Sequence, residues 1–124
     1  MKTLIIEDDE TSLKLALILL EREGHKVTPA RSAEEALEII QADLPDLIVL
    51  DLELPRASGL SLSRMLKADP RTRHIPIAAV TGLPDQFSKN DALRAGCDAY
   101  LVKPIDTRGF GTEVSRTAAK PAAV

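Results

Sequence analysis

Five short apolar runs alternate along this chain with segments of helical period, and few folds accommodate that alternation. It is the pattern of βαβ units wound around a parallel sheet. The first run, residues 2–7, leads into a helix expected from Glu10 to Glu23, whose positions Leu13, Ala16, Leu17 and Leu20 have i, i+3, i+4, i+7 spacing. Gly24 is placed to end that helix. Val27 to Ala30 reads as a short second strand at the sheet edge, because Pro29 cannot donate to a ladder. Ser32-Ala33-Glu34-Glu35 is a capping-box sequence opening a second helix, with Ala33, Ala36, Leu37 and Ile40 as its buried stripe.

Strand three, Asp46 to Leu50, is nearly all apolar and so fits a strand covered on both faces. A third helix after Gly59 turns Leu62, Met65 and Leu66 inward, and strand four spans Ile77 to Val80. Helix four is expected from about Asp85 to Ala95 with Gly96 behind it, and strand five from Ala99 to Val102. A fifth helix would use Phe110, Val114 and Ala118, although Gly109 and Gly111 would each cost about 0.8–1 kcal/mol in a helix interior. That makes it a poorly protected element, and Ala118 to Val124 reads as a loose tail or a severed linker.

Four of the apolar runs end in a reactive polar group. Leu4-Ile5-Ile6 ends in Glu7-Asp8-Asp9, Leu47-Ile48-Val49-Leu50 in Asp51, Ile77-Ala78-Ala79-Val80 in Thr81, and Tyr100-Leu101-Val102 in Lys103-Pro104. In a parallel sheet these ends share one rim, the place where open α/β folds bind ligands. Acids, a hydroxyl and an ammonium on one rim can hold a divalent metal and a phosphoryl group together.

The rest of the chain narrows the class. With 124 residues there is room for one domain. Hydrophobic residues make up 44% and charged residues 28%, which excludes a disordered chain, and a net charge of −3 gives no reason to bind nucleic acid unaided. The single cysteine, Cys97, excludes an intrachain disulfide, fits a reducing cytoplasm and is expected as a small buried residue. The longest apolar candidate, Leu13 to Leu20, is interrupted by Lys14 and followed by Glu21-Arg22-Glu23, so no membrane segment is expected. Met1-Lys2-Thr3 runs straight into a strand, which is not how a signal peptide begins. His25 and His74 read as surface residues.

Four motifs in order now carry a resemblance: Leu4 to Asp9; Asp46 to Pro55 with Gly59; Val80-Thr81-Gly82; and Ala95 to Pro104. Over residues 2–119 the chain resembles the receiver domain of two-component response regulators, the family of CheY, Spo0F and DivK. The resemblance implies a doubly wound (βα)₅, flavodoxin-like and CheY-like α/β fold, with a five-stranded parallel sheet of order 2-1-3-4-5. Residues 1–119 would form the receiver domain and residues 120–124 a tail or truncated linker.

The resemblance also implies a phosphorylation-activated switch in a phosphorelay, binding partners and not turning over an external substrate. Asp51 would accept a phosphoryl group from a histidine kinase or histidine phosphotransfer protein. Mg²⁺ (or Mn²⁺) would sit on Glu7, Asp8, Asp51 and the Glu53 backbone carbonyl. Lys103 would neutralise phosphoryl charge, and the Thr81 hydroxyl would donate to it, with Gly82 leaving access open. Thr81 and Tyr100 would form the switch, read by a downstream protein on the face of the fourth helix, fifth strand and fifth helix. A cis Lys103-Pro104 bond is implied as well. Of the three leading acids, either Asp8 or Asp9 could be the direct metal ligand; Asp9 also suits the start of helix one.

Glu53 and Leu83 flank the site as rate modulators. Glu53 could repel an attacking water and apolar Leu83 cannot orient one, so slow self-dephosphorylation is expected. Other readings are a phosphorylation-independent pseudo-receiver and the regulatory domain of a larger response regulator or hybrid kinase. An aspartate-nucleophile hydrolase of the haloacid-dehalogenase type fits poorly: it needs a second Asp where Glu53 stands. Apolar Leu15, Ile18 and Leu19 on helix one are either covered core or a docking stripe for a kinase or phosphotransfer helix.

Overall fold

The computed structural model describes residues 1–55 and 58–119; the expected tail at 120–124 lies outside them. Strands β1 (Lys2–Ile6), β2 (Lys26–Ala30), β3 (Leu47–Asp51), β4 (Ile77–Thr81) and β5 (Ala99–Val102) alternate with helices α1 (Glu10–Arg22), α2 (Ala33–Ala42), α3 (Gly59–Ala68), α4 (Lys89–Arg94) and α5 (Phe110–Ala119). All strand pairs are parallel, in the order β2-β1-β3-β4-β5. This is the expected doubly wound sheet, with Pro29 on its edge strand paired to Ile5.

Alternation along the strands splits the core into two layers. Leu4, Ile6, Ile48, Leu50, Ile77 and Ala79 pack with Ala36 and Ile40 of α2, Leu62 and Leu66 of α3, and Ala92 of α4. On the other face, Ile5, Leu47, Val49 and Val80 meet Leu13, Ala16, Leu19 and Leu20 of α1 and Phe110 and Val114 of α5. β3 is buried along its whole length, as a central parallel strand must be. Each of the first four helices is opened by a side-chain cap: Asp9, Ser32, Ser58 and Ser88 accept from the N–H of Ser12, Glu35, Ser61 and Asp91.

Several expectations change. Met65 is 54% exposed; Ser63 takes the buried place, its hydroxyl donating to the Ala95 carbonyl at 2.8 Å. A small hydroxyl with a partner is buried at little cost, and it lets α3 lie close to the turn after α4. On α1, Leu19 is buried and Leu17 only half-buried, because α5 packs against the Leu19 side of the helix. α4 starts at Lys89, not Asp85: Gln86 and Phe87 both donate to the Leu83 carbonyl in a turn, and Ser88 caps the helix proper. β3 begins at Leu47 and includes Asp51.

α5 also differs from its expected bounds. Gly109 precedes the helix, and Ala118 and Ala119 belong to it, not to a tail. At Gly111 a Cβ would lie 2.7 Å from Glu23 Cγ and 3.2 Å from the Leu19 carbonyl oxygen, so this glycine permits the close approach of α5 to α1. A second glycine is needed for the same reason. A Cβ on Gly59 would meet the Asp51 carbonyl oxygen at 2.5 Å and Leu52 Cα at 2.7 Å.

His25 is buried and not on the surface, whereas His74 is exposed. The His25 Nδ1 lies 2.7 Å from Thr3 Oγ1 and Nε2 2.8 Å from Ser115 Oγ, tying the start of β1 to α5. Burial, then the nearby N-terminal amine, lower its pKa against the pull of Glu23. The unfolded chain therefore takes up a proton first, and stability is lost as pH falls below about 6.5. Urea melts of wild type and His25→Ala at pH 7.5 and 5.5 should show that loss as a difference between the two proteins. His25→Ala should cost about 1–3 kcal/mol at pH 7.5, by leaving hydroxyls unpaired, and less at pH 5.5. An unchanged difference would count against the assignment.

Candidate functional site

The carboxyl ends of β1, β3, β4 and β5 bring the four polar termini together. Backbone hydrogen bonds continue the ladder beyond the strands and fix each one: Glu7 N–H donates to Ala30 O at 2.9 Å, Leu52 N–H to Val80 O at 3.0 Å, and Lys103 N–H to Thr81 O at 2.8 Å. Gly59 N–H donates to Leu52 O at 3.1 Å, seating α3 against the end of β3. The Lys103-Pro104 peptide bond is cis.

Asp51 is 3% exposed and lies between two donors. Its Oδ1 accepts from Glu53 N–H at 2.9 Å, and its Oδ2 faces Lys103 Nζ at 3.4 Å. The same ammonium is 2.7 Å from Glu7 Oε1. Glu7, Asp8 and Asp51 each present an oxygen within 4.8 Å of the other two, with Glu7 and Asp51 buried and Asp8 exposed. Asp9 stands apart: its carboxylate accepts from Ser12 N–H at 2.9 Å as the cap of α1, which lowers its pKa. Asp9 is thus occupied by the helix, and Asp8 joins the acid cluster.

The electrostatics are unbalanced. Burial, and then proximity to Asp51, push Glu7 up to about 7 despite Lys103. Burial alone would lower Lys103, but its contacts with Glu7 and Asp51 prevail and raise it. One ammonium for two buried carboxylates leaves excess negative charge, held by hard oxygen donors. Such a cluster could hold a metal ion, which would relieve the repulsion.

Thr81 is fully buried. Its hydroxyl donates to Glu53 Oε1 at 2.8 Å and accepts from Leu83 N–H at 2.9 Å; Gly82 N–H donates to the same Glu53 oxygen at 2.7 Å. Leu83 is 44% exposed at the lip. Tyr100 is half-buried against the α2–α3–α4 layer, its hydroxyl donating to the Phe87 carbonyl. The structure therefore brings Glu7, Asp8, Asp51, Glu53, Thr81 and Lys103 into one site, with Tyr100 farther along β5. Sequence reasoning missed the hold of the Glu53 side chain on Thr81, a contact between residues 28 apart that no local pattern signals. Cys97 is buried as expected, its thiol 3.3 Å from Ser63 Oγ.

Among the described residues no helix is long and apolar enough to cross a membrane. The family model of the response regulator receiver domain matches residues 3–114. The polar-differentiation response regulator DivK of Brucella ovis is 39% identical over 107 residues, which span 86% of this chain and 87% of that one. A solved response regulator structure from Chloroflexus aurantiacus aligns with a TM-score of 0.90 at 32% identity, covering 96% of this chain and 98% of the other. The receiver domain of a signal transduction histidine kinase from Syntrophus aciditrophicus aligns at 0.86 and 28% identity, covering 99% and 96%. With its CheY-like strand order, its acids gathered at one rim and these matches along nearly its whole length, the chain belongs to the response regulator receiver domain family of two-component signal transduction.

Proposed function

We propose that residues 1–119 act as a phosphorylation-activated switch in a cytoplasmic phosphorelay, accepting a phosphoryl group on Asp51 from a histidine kinase or histidine phosphotransfer protein. The observation that carries this reading is the position of the Asp51 carboxylate, buried at the end of β3 between Lys103 and an acid cluster. An Asp51 oxygen attacks phosphorus, the bond to the donor breaks, and the donor's imidazole leaves with the electron pair. Lys103 meets the charge on the transferring group, and Thr81 donates to it once phosphorylated. Mg²⁺ or Mn²⁺, held by Glu7, Asp8, Asp51 and the Glu53 carbonyl, would supply further charge neutralisation.

Two surfaces suit the partners. Beside the site an open groove is lined by Leu15, Gly82, Lys103, Pro104 and Ile105, and Ile18 on α1 is 52% exposed. That apolar stripe fits a phosphodonor's helix. On the α4–β5–α5 face, Leu93 and Val102 are about half exposed, at 50% and 47%, and suit a downstream protein that reads the state of Thr81 and Tyr100. The chain acts through binding, not through turnover of an external substrate.

Incubation with acetyl phosphate and Mg²⁺ should add one phosphoryl group by intact mass, and Asp51→Asn should abolish it. No mass change in the wild type would leave a phosphorylation-independent interaction module as the better reading. Divalent-ion affinity should fall about tenfold per pH unit below about 7, because the Glu7 carboxyl must lose its proton to bind. Calorimetric titration at pH 8 and 5.5 checks this, and Glu7→Gln should bind more weakly with a flatter profile. The phosphoryl group should also be long-lived, since neither Glu53 nor Leu83 helps a water attack. Leu83→Glu should shorten the half-life several-fold, on the order of 1 kcal/mol in the barrier; unchanged decay in both Leu83→Glu and Glu53→Ala would sink this idea.

A further inference from the structure

One carboxylate already occupies two donors at the mouth of the site. Glu53 Oε1 receives the Thr81 hydroxyl at 2.8 Å and the Gly82 N–H at 2.7 Å. The Thr81 oxygen also accepts from Leu83 N–H, and the hydroxyl's single proton is committed to Glu53. Thr81 itself is fully buried. Beside Gly82, the atoms nearest to where a Cβ would stand are Glu53 Oε1 at 3.6 Å, Lys103 Cδ at 3.7 Å and Glu53 Oε2 at 3.8 Å. The Glu53 side chain thus borders the space beside Gly82 at the mouth of the site.

Glu53 reaches both ends of the site at once. Its backbone N–H donates to Asp51 Oδ1 at 2.9 Å, while its side chain holds the end of β4. A carboxylate and a phosphoryl oxygen are both anionic acceptors, and the Thr81 proton serves only one of them. Resting on the receiver reading above, we infer that Glu53 is a positioning residue that occupies the phosphoryl oxygen's seat. It holds Thr81 in place before phosphorylation and is displaced by the incoming anion. Phosphorylation then exchanges two hydrogen bonds for two others, so the resting site binds anions less tightly than an empty seat would. The freed Glu53 carboxylate moves out as the phosphoryl group moves in, which makes its release part of the signal at the mouth of the site.

Beryllofluoride, a phosphoryl mimic, tests this on the intact chain with Mg²⁺, using heteronuclear NMR for both affinity and the Gly82 amide. Glu53→Ala, which removes the acceptor, should bind beryllofluoride about fivefold or more tightly than wild type. Glu53→Asp keeps the charge but shortens the reach, and should behave like Glu53→Ala; Glu53→Gln keeps an acceptor and should fall nearer the wild type. In the Mg²⁺-bound protein without beryllofluoride, the Gly82 amide proton should move upfield in Glu53→Ala and Glu53→Asp but not in Glu53→Gln. Simple charge repulsion predicts the reverse order, with Glu53→Asp like wild type and Glu53→Gln like Glu53→Ala, and that result overturns the inference. Equal affinities in all four proteins overturn it as well. Failure of the wild type and every variant to bind beryllofluoride while still binding Mg²⁺ would instead remove the phosphoacceptor role of Asp51 on which the inference rests.

Discussion

A single ammonium shared by two buried carboxylates is the interaction on which the site depends. Lys103 reaches Glu7 at 2.7 Å and Asp51 at 3.4 Å, and no other cation does so among the described residues. Removing charges from water is costly, and their attraction offsets the cost only when each finds a partner. Here the partners come from three separate strands, so the pair forms only when the whole sheet is in register. The fold and the charge arrangement are therefore interdependent: parallel pairing delivers the groups to one rim, and their mutual attraction opposes the repulsion that would open it.

The arrangement is nevertheless left short of positive charge. Glu7, forced toward the neutral form by burial and by Asp51, reports that deficit. A structural ion-pair network would be expected to satisfy its members more evenly. An acid cluster that remains under-neutralised inside an otherwise well-satisfied protein, with no buried side-chain polar atom lacking a partner among the described residues, is one that could hold a metal ion.

Much of this was legible in the sequence, for definite reasons. Strands that are buried on both faces must be apolar throughout, so β3 and β4 announced themselves, and the polar residue after each apolar run had to lie at a strand end. Caps and turn glycines marked helix starts and stops because they act within a few residues. Contacts between distant segments left no such trace. His25 looked like a surface residue because Thr3 and Ser115, which satisfy it, lie 22 and 90 positions away. Met65 looked like core because it is apolar, whereas Ser63 was buried by virtue of a carbonyl from beyond α4. Gly111 looked like a weak point in a helix when it is the point where two helices meet closely. Glu53 looked like a charge at the site's edge, and its hold on Thr81 depended on side-chain reach across two strands.

The approach of Gly59 to the end of β3 has a consequence beyond packing. The first residue of α3 rests directly on the backbone of Asp51 and Leu52, with no room for a methyl group between them. The helix and Asp51 are thus mechanically one part. A lateral push on α3, whether from a docked protein or from a mutation on its outer face, reaches the Asp51 backbone without passing through any side chain. The outer surface of α3, exposed Met65 included, is therefore coupled to the position of the Asp51 backbone.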